Sequence, residues 1–193
     1  MKLTYVTGNY GKYYAMKRRL KNQNIDIEWA QLELSEPEID DVAVVSKEKA
    51  RQAYNTLKKP CFVMDSGFYI EAYPEKPGYP GAMVKRSGIA YNVEALLKTM
   101  EGVENRSCKF VDCLTFYDGK IFSQFFHESP GMLSHEIRGT LRETAQSRLW
   151  LVFILEGYDI TIAQMSEKER LAMDDGRISS VEKFVKWYKE KCV

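Results

Sequence analysis

Thr7-Gly8-Asn9-Tyr10-Gly11-Lys12 stands where a short apolar run, Leu3 to Thr7, hands over to a helical pattern. Backbone amides at such a strand–helix turn converge on one spot and attract anions. Lys12 adds a positive charge one turn in, and Asn9 adds an amide donor. The spacing of a Walker A loop is absent, so a tight turn carrying a surface lysine is an equal reading. Glu38, Asp40, Asp41 and Asp65 offer hard oxygen ligands, which suit Mg²⁺ when one or two carboxylates act together with substrate phosphates. A solvated acidic loop, with Ser35 and Glu38 as a capping box, accounts for the first three equally well. Asp65 follows a buried-strand candidate and sits beside a Ser66-Gly67 turn, where its side chain serves either the turn or a ligand. Lys49 falls on the apolar stripe of its helix, between Val45 and Ala53. It either snorkels past the core or reaches inward to a phosphate.

Several chemistries drop out. The 193 residues contain 2 histidines, His127 and His135, too few for a three-histidine zinc site. Ser46-x-x-Lys49 matches a β-lactamase nucleophile pattern, but neither Ser-Asp-Asn nor Lys-Thr-Gly follows, and there is no G-x-S-x-G elbow. Lys+Arg and Asp+Glu number 28 and 27, a net charge of +1 that gives no broad basic field for a nucleic-acid polymer. Cys61, Cys108, Cys113 and Cys192 form no C-x-x-C pair. The odd separation of Cys108 and Cys113 on a strand puts them on opposite faces, so buried free thiols in a reducing compartment are expected. The N-terminus lacks the apolar run of a signal peptide, and the longest clear run, Trp150 to Leu155, is far below a membrane span. A cytoplasmic protein without membrane contact is expected, and the Asn105-Arg106-Ser107 sequon is read as chance.

The elements that must position these groups follow from periodicity. Leu3–Thr7 reads as a strand, Tyr13–Lys21 as a basic helix, and Ile25–Leu34 as an extended stretch leading into the acidic segment. Val42, Val45, Ala50, Ala53 and Leu57 recur at helical spacing, and Pro60 ends that helix. Cys61–Met64 reads as a buried strand feeding an Asp65-Ser66-Gly67 turn. Tyr73–Gly81 is a Pro/Gly-rich loop suited to a hinge. A helix over 92–100 follows, with Gly102 as its C-terminal stop. Lys109–Phe116 and Lys120–His127 flank Asp118-Gly119, a hairpin signal. Ser166 with Glu169 forms a capping box, and Ser179 or Ser180 caps a terminal helix with a Val181, Phe184, Val185, Tyr188 stripe. Early alternation of helices and strands, then a long hairpin, predicts a mixed α/β chain with a partly antiparallel sheet.

Taken in order, Thr7-Gly8-Asn9-x-x-Lys12, Pro37-Glu38-Ile39, Lys49-Ala50, Asp65-Ser66-Gly67 and Pro80-Gly81 resemble the inosine triphosphate pyrophosphatase family. Glu156-Gly157-Tyr158-Asp159 and Ala163 to Glu167 are similar to its late segment, so the likeness covers most of the chain. The resemblance implies a single domain over 1–193, an elongated α/β fold with two lobes around a central cleft, and a homodimer. It implies hydrolysis of non-canonical purine triphosphates such as ITP, dITP and XTP to monophosphate and pyrophosphate. Thr7, Gly8, Asn9 and Lys12, with Ser66 and Gly67, would then bind the triphosphate. Glu38 and Asp65 would bind Mg²⁺ or activate water, and Lys49 would neutralise phosphate charge. Such a reaction needs positive charge at the phosphoryl group and a carboxylate to orient water.

The chain also departs from that pattern. Met64 stands where the family usually carries an acid. The base-reading segment should fall near Gln146–Val152, where Trp150 is the one aromatic, and of the late Ser-His-Arg only Arg177 survives. The triphosphate half is kept and the base-reading half is rewritten. Altered base specificity follows as an expectation, and a catalytically weak relative that binds nucleotides for sensing or regulation is the alternative.

Overall fold

The computed structural model describes residues 2–175 and 178–191. Its elements run β1 (Lys2–Val6), α1 (Tyr10–Lys21), β2 (Asp26–Ala30), α2 (Val42–Leu57), β3 (Cys61–Ile70), β4 (Pro80–Gly81) and α3 (Val93–Thr99). Next come β5 (Ser107–Tyr117), β6 (Phe122–Leu133), a 3-10 turn (Arg148–Leu151), β7 (Phe153–Leu155), α4 (Glu167–Asp175) and α5 (Ser180–Lys191). The strand order is β2-β1-β3-β5-β6-β7, with β4 on β3. β1 pairs in parallel with β2 and β3, whereas β3–β4 and β6–β7 are antiparallel, so the expected mixed α/β class is met. Two compact units form, Met1–Ser66 with Asp112–His127 and Ile178–Val193, and Gly67–Val111 with Glu128–Arg177. The Tyr73–Gly81 segment, expected as a hinge, lies inside the second unit.

In the first unit, strand alternation sorts side chains onto two faces. Leu3, Tyr5, Phe62, Leu114 and Phe116 pack with Met16 and Leu20 of α1 and with Val181, Phe184 and Tyr188 of α5. Val6, Cys61 and Val63 join Ala50 and Ala53 of α2 in a separate cluster. Ser46 pins α2 to β5 by donating to the Cys113 carbonyl at 3.0 Å and sharing a 2.7 Å hydrogen bond with Thr115 Oγ1. That serine is structural.

Local capping corrects two boundaries. α1 begins at Tyr10 rather than Tyr13, because Asn9 Oδ1 accepts from the Lys12 amide at 2.9 Å. Asp41, not the Ser35–Glu38 pair, caps α2, its Oδ1 accepting from the Ala43 and Val44 amides. The expected Asp65-Ser66-Gly67 turn is absent: β3 runs straight through it to Ile70. Ser166 and Glu169 do form the expected box, and Ser179 accepts from the Val181 amide at the start of α5. Cys61, Cys108 and Cys113 are buried free thiols, and burial pushes Cys61 up to about 11 and Cys108 up to about 12. Cys192 lies outside the described residues.

The second unit has its own core, in which Phe68, Phe110 and Phe153 meet with centroids 4.7, 6.0 and 4.9 Å apart. Gly67 opens its β3 segment without a side chain, since a Cβ there would lie 2.7 Å from the Tyr69 ring and 3.1 Å from the Gly81 carbonyl. Arg106, 4% exposed, is its polar staple. The guanidinium donates to the carbonyls of Leu133, Met100 and Ser134 at 3.1, 2.7 and 2.7 Å. Burial of the cation lowers its pKa, yet the charge is retained because three acceptors converge on it. Arg106→Ala orphans those carbonyls and is expected to cost about 3 kcal/mol or more. Urea denaturation checks this, and a loss under about 1 kcal/mol contradicts the staple.

Candidate active site

Beyond Phe62 of β3, alternation distributes two consecutive side chains between the two helices. Ser66 shares the parity of Phe62 and meets Lys12 of α1, whose Nζ donates to Ser66 Oγ at 3.1 Å and to the Met64 carbonyl at 3.2 Å. Asp65 shares the parity of Cys61 and Val63 and meets Lys49 of α2, whose Nζ donates to Asp65 Oδ1 at 3.0 Å. Lys49 is thus neither snorkelling nor idle: it is held in an ion pair on each side, the second with Glu36 Oε1 at 2.8 Å. β1 pairs with β3 in the register Thr4↔Cys61 and Tyr5↔Phe62, so the Thr7–Asn9 loop leaves β1 level with Met64.

That loop is fixed from within. The Thr7 amide donates to the Ala30 carbonyl at 3.1 Å, the Asn9 amide donates to Thr7 Oγ1 at 3.1 Å, and Trp29 Nε1 donates to the Thr7 carbonyl at 2.7 Å. Trp29 is itself stacked on Tyr13 at 4.3 Å. Of the three loop amides expected to face an anion, those of Thr7 and Asn9 are therefore already used. Gly8 differs: its φ is not left-handed, and a Cβ built on it meets nothing within 4 Å. Neither conformation nor packing requires glycine there, and the residue is exposed.

The electrostatics join the two lysines. Burial lowers the pKa of Lys12, with Asp65 and Asp112 pulling it back up. Burial also works against the charge of Lys49, but Asp65 and Glu36 outweigh it and raise the pKa. Tyr5 is fully buried, and among the described residues its hydroxyl has no hydrogen-bond partner; burial first, and then Asp112, hold it firmly protonated.

Sequence reasoning missed Glu36 and Asp112. The carboxylate on Lys49 is Glu36, whereas Glu38 is exposed. Gln52, one turn along α2 from Lys49, clamps the Ser35 backbone through bonds of 2.9 and 3.1 Å, and this delivers the next residue to Lys49. Asp112 carried no motif, but it shares the parity of Leu114 and Phe116, which face α1. Among the described residues no group of three or more His, Cys, Asp or Glu could hold a metal alone. The Glu36–Asp65 pair does suit a hard cation that arrives with its phosphates.

The model of the Ham1 family matches residues 3–187. The chain belongs to the Ham1 family. A dITP/XTP pyrophosphatase of Saccharolobus solfataricus is 34% identical over 193 residues, covering 99% of this chain and 97% of its own. One from Methanopyrus kandleri is 30% identical, covering 98% and 97%. Among solved structures, a HAM1 protein from Coxiella burnetii superimposes with a TM-score of 0.79 at 18% identity, covering 98% of this chain and 99% of that one. The resemblance to inosine triphosphate pyrophosphatases is borne out at the level of the family.

Of the remaining expected residues of this Ham1 chain, Trp150 lies in the second unit. Trp150 belongs to the 3-10 turn rather than to a strand, and it packs partly against that unit's core. The guanidinium of Arg170, 5% exposed, covers its ring at 5.6 Å, a partner with no sequence signal. Both alternatives for Trp150 are thus narrowed, since one face of the ring is already taken. Arg177 lies outside the described residues.

Lys49→Met leaves Glu36 and Asp65 facing each other and is expected to cost about 1–3 kcal/mol at pH 8. A raised lysine pKa gives stability that is complete below the unfolded-state value, near 10.4, and is lost as pH rises through the folded-state value. The gap between wild type and variant should therefore narrow at pH 11. Urea denaturation at both pH values checks this; a gap that does not narrow contradicts it.

Proposed function

We propose that this Ham1-family chain is a nucleoside triphosphate pyrophosphohydrolase that cleaves purine triphosphates such as ITP, dITP and XTP to monophosphate and pyrophosphate. The observation that carries the reading is the pairing of two part-buried lysines, Lys12 and Lys49, with Asp65 and Ser66 on one strand beside the open Gly8 backbone. The names of the relatives support the same chemistry. Lys12 and the Gly8 amide bind triphosphate oxygens, and Asn9 with Thr7 shapes the loop that presents them. Ser66 orients Lys12, Gly67 lets β3 run on beside Tyr69, and Asp65 orients the attacking water toward the α-phosphorus. Lys49 offsets charge that develops on the phosphoryl oxygens. Asp65 and Glu36 would hold Mg²⁺, which supplies charge neutralisation and polarisation of the phosphoryl group.

Glu36 and Asp65 are two carboxylates already paired with Lys49, and among the described residues no group of three or more metal-binding side chains could hold a cation alone, so a divalent cation enters with the phosphates as further ligands. Calorimetry should detect Mg²⁺ binding in the presence of an α,β-imido ITP analogue but not in its absence. Trp150 and Arg177 make up what is kept of the family's base-reading half, so discrimination is reduced. The same family reading carries a cytoplasmic homodimer, checked by cell fractionation and light scattering.

Pyrophosphate release across canonical and deaminated triphosphates tests the function. ITP is expected to be cleaved in preference to ATP, by a kcat/KM ratio well below the roughly 10⁴ of a fully polar pocket. Asp65→Asn should abolish turnover, and Gly8→Ala should weaken triphosphate binding tenfold or more while leaving stability within about 0.5 kcal/mol. Nucleotide binding without any pyrophosphate release would establish the sensing alternative instead.

A further inference from the structure

Asp112 belongs to none of the motifs that suggested the function, yet it ends a chain of hydrogen bonds that begins at Lys12. Ser66 Oγ donates to Asp112 Oδ1 at 2.6 Å, and the same oxygen accepts from Lys12 Nζ at 3.1 Å. A hydroxyl has one proton and two lone pairs. Because the proton is committed to a carboxylate, a charge-assisted acceptor, the Ser66 oxygen must present a lone pair to the lysine. The Met64 carbonyl takes a second lysine proton at 3.2 Å. Two of the three N–H donors are then held by the protein in fixed directions, and the third is aimed by default.

We propose that Asp112 is a positioning residue for triphosphate binding, acting through the Ser66 hydroxyl to hold the Lys12 ammonium in its binding geometry. Without the carboxylate, the Ser66 hydroxyl can turn and offer its proton elsewhere, and the flexible lysine stem loses one of its two anchors. Asn at 112 keeps a carbonyl oxygen that Ser66 can donate to, so it preserves the device, whereas Ala removes it. The inference rests on the reading of Lys12 as a triphosphate contact.

The test is a double-mutant cycle read by equilibrium binding of α,β-imido ITP with Mg²⁺, with melting temperatures taken alongside. Asp112→Ala should weaken binding about tenfold, Asp112→Asn less than threefold, and steady-state kinetics should place the loss in KM rather than in kcat. In the Lys12→Ala background, Asp112→Ala should cost nothing further. Ser66→Ala, which removes only the middle hydroxyl, should reproduce the loss and should likewise cost nothing further in the Lys12→Ala background; this second cycle, which leaves position 112 untouched, decides the matter if the position-112 variants fold poorly. Losses that simply add in either cycle, or an Asp112→Asn as damaging as Asp112→Ala, overturn this inference alone. A Lys12→Ala protein that binds like wild type overturns the triphosphate reading itself, and this inference with it.

Discussion

The site depends on β3 remaining a strand through Met64, Asp65 and Ser66. Successive side chains of a strand point to opposite faces, so two neighbouring polar residues cannot serve the same helix. Ser66 goes to Lys12 and Asp65 goes to Lys49, and each lysine reaches its partner from a helix already anchored by apolar packing on its own side. A turn at this point would have released both residues into solvent. An extended backbone instead holds them where burial strengthens each charge–dipole contact and makes every unpaired group costly.

The cost is managed by pairing. Lys49 lies between two carboxylates, and Lys12 is bound to a carbonyl and to a hydroxyl that is itself committed to Asp112. Two partly buried lysines are thereby held in place. Beside them Gly8 is exposed, and a Cβ built on it would meet nothing within 4 Å. Preorganised charge beside an open backbone is what a polyphosphate requires, because little reorganisation remains when it binds.

Much of this was legible in the sequence, for identifiable reasons. The helix over 42–57, the Asp118-Gly119 hairpin and the Ser166–Glu169 box rest on local periodicity and capping, which short stretches encode. Thr7 to Lys12 and Asp65-Ser66-Gly67 were recognisable because residue type and order survive without coordinates. The Asp-Ser-Gly stretch was misread as a turn, since those residue types favour turns locally and only pairing with neighbouring strands overrides that preference. The Glu36–Lys49 pair has no sequence signal because Gln52, seventeen positions from Ser35 along the chain, sets the path of that loop. Asp112 and Arg170 could not be found from sequence at all. Their roles exist only through contacts with residues distant in the chain, Ser66 in one case and Trp150 in the other.

A crystal structure of the chain with α,β-imido ITP and Mn²⁺ is the most direct measurement of the central claim. The account predicts triphosphate oxygens within hydrogen-bonding distance of Lys12 Nζ and the Gly8 amide, and an anomalous manganese peak beside Asp65. Nucleotide bound with its phosphates away from Lys12, or manganese away from Asp65, would contradict it.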